Sequence, residues 1–82
     1  MISFVSFLNN TEFPYISVYE DDKIKTDMLF KNKQSKVFAV NSGSVSFDFF
    51  YNSPKPFLNI YIPLNPGGIY TIKVYETHAE FM

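Results

Sequence analysis

The stretch LNIYIPLNPGGIYTIKVYE, residues 58–76, holds two apolar runs on either side of Pro66-Gly67-Gly68. In the second run the even positions Tyr70, Ile72 and Val74 are apolar, and Thr71 and Lys73 alternate with them. In the first, Leu58, Ile60, Ile62 and Leu64 form the apolar set. Period-2 alternation of this kind marks strands with one buried face. If the two runs pair as a hairpin, a two-residue Gly-Gly turn sets Ile62 against Lys73 and mixes the faces, because a one-residue slip flips every side chain. A three-residue loop sets Ile62 against Ile72 and Ile60 against Val74. Pro66 suits the first turn position and Gly68 the left-handed closing residue. The stretch therefore predicts a hairpin in which Tyr70 points inward and Phe57, Tyr61 and Tyr75 point outward. Pro63 lacks an N–H and assigns its strand to a sheet edge or a bulge.

The same alternation runs through most of the chain. Strands are expected at Ile2 to Leu8, Tyr15 to Glu20, Lys23 to Thr26, Ser35 to Val40, Ser44 to Tyr51, Phe57 to Leu64 and Ile69 to Tyr75. In SVSFDFFYN, Val45, Phe47, Phe49 and Tyr51 form the inward set, and Ser44, Ser46, Asp48 and Phe50 the outward one. TDMLFKNKQ reads as a loop with Leu29 and Phe30 pinned into the core. About seven short strands separated by turn signals predict a single all-β domain over residues 1–82, a small antiparallel β-sandwich.

Composition narrows the chemistry. The chain has 82 residues, 20% of them aromatic, and no cysteine. Disulfides, thiolate metal sites and cysteine nucleophiles are thereby excluded. A domain of this size must rest on its core, where each buried Phe or Leu contributes roughly 1.5–3 kcal/mol. Seven lysines and no arginine, at a net charge of −1, offer no basic face for nucleic acid. The N-terminal MISFVSFLNN has no basic region before its apolar run and reads as a strand, not a signal peptide. No run approaches the ~18 apolar residues of a membrane span. The default expectation is a cytoplasmic protein, and its use of Lys, Asn, Ile and Tyr fits an AT-rich bacterial genome.

Motifs that carry chemistry are weak. His78, the lone histidine, falls after the last expected strand in ETHAEFM, where a frayed tail explains it better than a metal or a Ser–His pair does. Glu20-Asp21-Asp22 reads as a charged hairpin turn, with no calcium-loop spacing. NPGG joins two strands and lacks the helix and Gly-Lys-Ser/Thr of a phosphate loop. SPKP at 53–56 is a rigid connection, and Asn9-Asn10-Thr11 satisfies the glycosylation pattern without a secretion signal to use it. No nucleophile–base pair stands out, so the expectation is a non-enzyme with no cofactor and no metal.

Three segments carry a family resemblance: NNTEFPYISVYEDDKI, LFKNKQSKVFAVNSGSVSFDFF and IPLNPGGIYTIKVYE. Val18-Tyr19, Asp21-Asp22-Lys23, Leu29, Ser35, Val37, Gly43 and Tyr70-Thr71-Ile72 follow the strand and turn order of the bacterial domain of unknown function 4397, which the chain resembles over nearly its whole length. Asp22 stands where that pattern has a turn glycine. The resemblance implies an immunoglobulin-like sandwich of a type found mostly in exported or envelope proteins, and it supplies no catalytic residues.

The remaining signal is the set of aromatics that parity leaves outside: Tyr15, Tyr19, Phe50, Phe57, Tyr61 and Tyr75. A contiguous apolar patch usually marks a partner site. The favoured expectation is a structural or interaction module that self-associates, as a homodimer or higher, or docks to another protein, with a bacterial envelope or spore assembly as its setting by analogy. The alternative is a small-ligand module that binds carbohydrate on its exposed tyrosines.

Overall fold

The computed structural model describes residues 1–82 and is all-β, with no helix. Its strands are β1 (Ile2–Asn9), β2 (Tyr15–Glu20), β3 (Lys23–Phe30), β4 (Phe38–Asn41), β5 (Gly43–Phe50), β6 (Leu58–Leu64), β7 (Ile69–Val74) and β8 (Ala79–Phe81). They form two four-stranded sheets, ordered β4-β1-β7-β8 and β3-β2-β5-β6, with the core between them. All neighbours are antiparallel except β1 and β7, which run parallel.

That parallel pair overturns the expected hairpin. β6 pairs with β5 in one sheet and β7 with β1 in the other, so residues 65–68 carry the chain across the sandwich. Asn65 to Gly68 form a turn closed by Gly68 N–H donating to the Asn65 carbonyl at 3.0 Å. Pro66 takes the second position and Gly67, at φ +75°, the third, the pattern of a type II turn. The left-handed residue is thus Gly67, not Gly68. Gly68 is needed for a different reason: a Cβ there would meet the Tyr70 ring at 2.6–2.8 Å. The Tyr70 hydroxyl in turn accepts the Asn65 N–H at 2.8 Å. Strand β1 then takes hold of the turn. Gly67 N–H donates to the Ile2 carbonyl at 2.8 Å, Phe4 N–H to the Gly68 carbonyl at 2.9 Å, and the Ser3 hydroxyl to the Asn65 carbonyl at 2.7 Å.

Face assignment by parity holds even though the partner differs. Ile72 and Val74 are buried, as are Val45, Phe47 and Phe49; Ile60 and Ile62 are half-buried against the same core. The rings join into one network. Phe7 lies 5.2 Å from Phe47 and 5.8 Å from Phe49, both edge-on. From Phe49 the contacts run through Phe57, Phe13 and Tyr51 to Tyr15, ring to ring at 4.6–6.4 Å. Such pairs add about 0.5–1.5 kcal/mol each beyond the area they bury. Phe7, Phe47 and Phe49 are the buried rings of the core, with Phe13, Phe38, Phe57 and Tyr70 packed against them; the other aromatics lie outside it.

Asn9 is the largest of the polar residues buried in that interior, beside Ser3, Ser6 and Thr11. Fully buried, it donates from Nδ2 to the Leu29 carbonyl at 2.9 Å, which ties β1 of one sheet to β3 of the other. Its Oδ1 accepts the Thr11 N–H at 3.0 Å and the Thr11 hydroxyl at 2.6 Å. The Thr11 hydroxyl oxygen accepts the Phe13 N–H at 3.1 Å. The Asn9-Asn10-Thr11 triplet is therefore an internal brace, closed to glycosylation in the folded chain.

Three other expectations change. There are eight strands, because Ala79–Phe81 folds back on β7 instead of fraying. β3 runs on to Phe30, with Met28 at φ +57° marking a register shift. Leu29 is buried as expected, but Phe30 lies outside, opposite Tyr15. At the other end of β3, Asp21 and Asp22 both take left-handed φ, +47° and +66°, which is the two-residue hairpin geometry of a type I′ turn.

Phe47→Ala should cost about 3–5 kcal/mol in denaturant unfolding, whereas Tyr61→Ala, at a 66% exposed position, should shift stability by no more than about 0.5 kcal/mol. Asn9→Ala should cost about 1–3 kcal/mol for each buried group it strands, more than its small size suggests. An unchanged midpoint for Asn9→Ala would remove the brace from the account.

Candidate functional site

The outer face of the β3-β2-β5-β6 sheet gathers four of the six aromatics singled out in the sequence. Tyr15 and Tyr19 project from β2, Phe50 from β5 and Tyr61 from β6. Tyr19 and Phe50 meet edge to face at 5.1 Å, with planes 70° apart. Phe30 and Ile24 of β3, opposite Tyr15 and Tyr19, extend this face at more than half exposure. Phe30 is missed by sequence reasoning because the pattern beyond Thr26 reads as a loop that pins it into the core; Ile24 lies inside the expected Lys23 to Thr26 strand but is not aromatic and so carries no signal of its own. The polar side chains between the rings are tied to one another: the Ser17 hydroxyl donates to Asp27 at 2.9 Å, and Asn59 Nδ2 to Asp48 at 2.6 Å.

The other two aromatics lie elsewhere. Phe57 precedes β6 and turns inward, 4.9 Å from Phe13, because its N–H is held by the Phe49 carbonyl at 2.9 Å. Tyr75 sits in the β7–β8 turn on the opposite sheet, stacked on His78 at 4.6 Å. Parity counted from β6 fails at Phe57, which lies just outside its strand and packs on the core. Tyr75 does point outward, with Lys73 Nζ 5.8 Å from its ring, but on the other sheet from Tyr61.

Three concavities open on the surface. The largest, about 440 Å³, runs along the aromatic face past Tyr19 and Phe50, between Asp22 of the β2–β3 turn and Asn52 and Ser53 after β5. A second, about 260 Å³, lies where the β2–β3 turn approaches β4, and the ion pair of Glu20 with Lys25 at 3.1 Å lies against it. The third, about 50 Å³, is apolar and lies between the edge strands β6 and β8, lined by Ile60, Ile62, Ile72, Ala79 and Phe81.

Electrostatics adds little chemistry. His78 Nε2 lies 3.0 Å from Glu80 on the exposed β8 turn. Lys31 pairs with Glu12 and holds that exposed carboxylate below its usual range, through the hydrogen bond first and the charge second. Both are surface pairs, of a kind that contributes little to stability. No helix is long and apolar enough to cross a membrane.

No protein-family model, curated protein or solved structure matches the chain.

No three His, Cys, Asp or Glu side chains converge as a metal-binding group. A strong chelator should therefore leave the melting temperature unchanged, and a drop of several degrees in a thermal scan would reveal a cation held by ligands this arrangement does not bring together.

Proposed function

We infer that the protein is a non-enzymatic structural module that self-associates through β6. The observation that carries this is the contrast between its sheet edges. An unguarded edge presents free N–H and C=O groups to any other strand, and natural edges are shortened, charged or bent to prevent pairing. β4 and β8 have four and three residues. β3 carries Lys23, Lys25 and Asp27 and is bent at Met28. β6 has seven residues, no charge, and Pro63 near one end as its single obstruction.

Beside that edge Ile60 and Ile62 stay half-buried over the apolar cleft, and Phe81 is half exposed. A second copy of the chain fits this edge. An uncharged strand offers no ionic handle to a charged peptide, yet it pairs with itself in antiparallel fashion at no electrostatic cost. A two-fold axis at Tyr61 sets Ile60 of one copy against Ile62 of the other, and Leu58 against Leu64, so apolar meets apolar. A stable interface needs about 800 Å² per partner, roughly a sixth of the chain's 4902 Å², so the β8 side chains next to the cleft must take part.

The resemblance to the domain of unknown function 4397, and with it an immunoglobulin-like type of sandwich, is retained as part of this proposal. It implies an assembly in a bacterial envelope or spore layer.

Sedimentation at tens of micromolar should give a dimer or a larger species. Tyr61→Glu should shift it towards monomer without unfolding it, because the side chain is exposed within one copy and placed on the axis between two. A wild-type monomer across that range would sink self-association.

A further inference from the structure

We propose that the groove along Tyr19 and Phe50 binds a neutral saccharide, one or two pyranose rings in length. The site lies on β2, β5 and their following turns, apart from the β6 edge, and does not rest on self-association. Its volume of about 440 Å³ lies within the roughly 300–1,000 Å³ usual for small-molecule sites.

The lining chemistry selects the class. Two aromatic rings meet edge to face, so the ring that gives its edge keeps both of its own faces clear of its partner. An aromatic face is what the C–H face of a pyranose stacks on, an apolar body whose rim stays polar. Around the rings stand groups that match hydroxyls, which both donate and accept. Asp22 offers a carboxylate and Asn52 an amide, and neither side chain is engaged within the protein. The Ser17 hydroxyl spends its proton on Asp27 and keeps lone pairs to accept with. The Ser53 oxygen accepts the Lys55 N–H at 3.2 Å and keeps its proton to donate.

Other ligand classes fit less well. No lysine lines the groove, so a phosphate or carboxylate would face Asp22 with nothing to neutralise it. A quaternary ammonium ion needs several ring faces turned towards one point, and only two of the residues that line the groove, Tyr19 and Phe50, are aromatic.

Backbone conformation sets the two free polar groups in place. Asp22 and Asn52 hold φ of +66° and +49°, a region that L residues enter at a cost and glycine enters freely. Glycine would make either turn with less strain. The side chains that remain are those that reach the groove from opposite ends.

This gives a test that separates binding from folding. The probes are cellobiose, maltose, mannobiose and chitobiose, titrated to about ten millimolar while backbone amide shifts are followed, a range that covers millimolar dissociation constants. At least one disaccharide should produce saturable shifts confined to Ser17, Tyr19, Asp22, Phe50, Asn52 and Ser53. Asp22→Gly and Asn52→Gly should each weaken that binding about tenfold while keeping the melting temperature at or above wild type. Tyr19→Ala should abolish it, with the far-ultraviolet spectrum confirming the fold. Shifts outside the groove, tetramethylammonium saturating the same amides in place of a sugar, no saturation with any of the four disaccharides, or glycine variants that bind like wild type would each overturn the proposal.

Discussion

The parallel pairing of β1 with β7 is the constraint on which the rest of the sandwich depends. β1 stands inside its sheet, with β4 on one side and β7 on the other, so both edges of its backbone are used. To reach it, β7 must leave β6 and cross between the sheets. Parallel neighbours cannot be joined by a tight turn, and here the connection between them is nearly the whole chain, from Asn9 to Ile69. The two ends of the molecule are thereby sewn into one sheet. In a domain of this length with no disulfide, that closure supplies long-range order that covalent bonds supply elsewhere. The Asn65–Gly68 turn is the point of commitment, since its amides and carbonyls are taken up by Ile2, Ser3 and Phe4 before β7 begins.

The same constraint explains what the sequence could and could not reveal. Alternation tells which face a residue takes, because the pleat has a period of two whatever the neighbouring strand is. Val45, Phe47, Phe49, Ile72 and Val74 were legible for that reason. It says nothing of which strand lies alongside. Pro-Gly-Gly between two apolar runs fits a hairpin and an inter-sheet turn equally well, and the difference lies in β1, more than sixty residues away. Local rules also fail where a strand is irregular or ends. Met28 at φ +57° breaks the count in β3 and puts Phe30 outside. Phe57, one residue before β6, follows the loop into the core. β8 has three residues, too few for a pattern, and is held by its register with Ile72, Lys73 and Val74.

Asn9 is the clearest case of a residue with two readings. As a string, Asn-Asn-Thr is a modification signal. In the fold the same spacing lets Asn9 Oδ1 cap two Thr11 donors, a side-chain turn that Asn makes readily. What decides between them is burial, and burial follows from the chain's need to pass from β1 to β2, from one sheet to the other, within a few residues. A buried amide bonded at both its nitrogen and its oxygen fixes that passage in one geometry; with either left unpaired it would cost more than an apolar residue. Of the candidate surface, the rings Tyr15, Tyr19, Phe50 and Tyr61 were legible, since each lies inside a regular strand. The groove that Tyr19 and Phe50 share with Asp22 and Asn52 was not, because it is made by two turns that sequence spacing does not bring together.

The proposed pairing through β6 and the proposed binding in the groove would reinforce each other through geometry. A two-fold axis perpendicular to the sheet, as antiparallel pairing requires, keeps the outer faces of both copies on one side. The order β3-β2-β5-β6 then continues into its own mirror order, and the β2 strands of the two copies lie five strand spacings apart, roughly 24 Å at about 4.8 Å each. Two shallow grooves at that separation, on one continuous face, would engage separate stretches of a single polysaccharide several sugar units apart. A groove this open gives a weak site by itself, since little of the ligand is enclosed. Holding two of them rigidly on one sheet makes the second binding event intramolecular, and avidity can then exceed the single-site affinity by a factor of about 10²–10⁴ with no new contact. Monomeric Tyr61→Glu would keep each groove intact and lose only that gain, so its binding to a disaccharide should match wild type while its retention on a polymer of the same sugar falls.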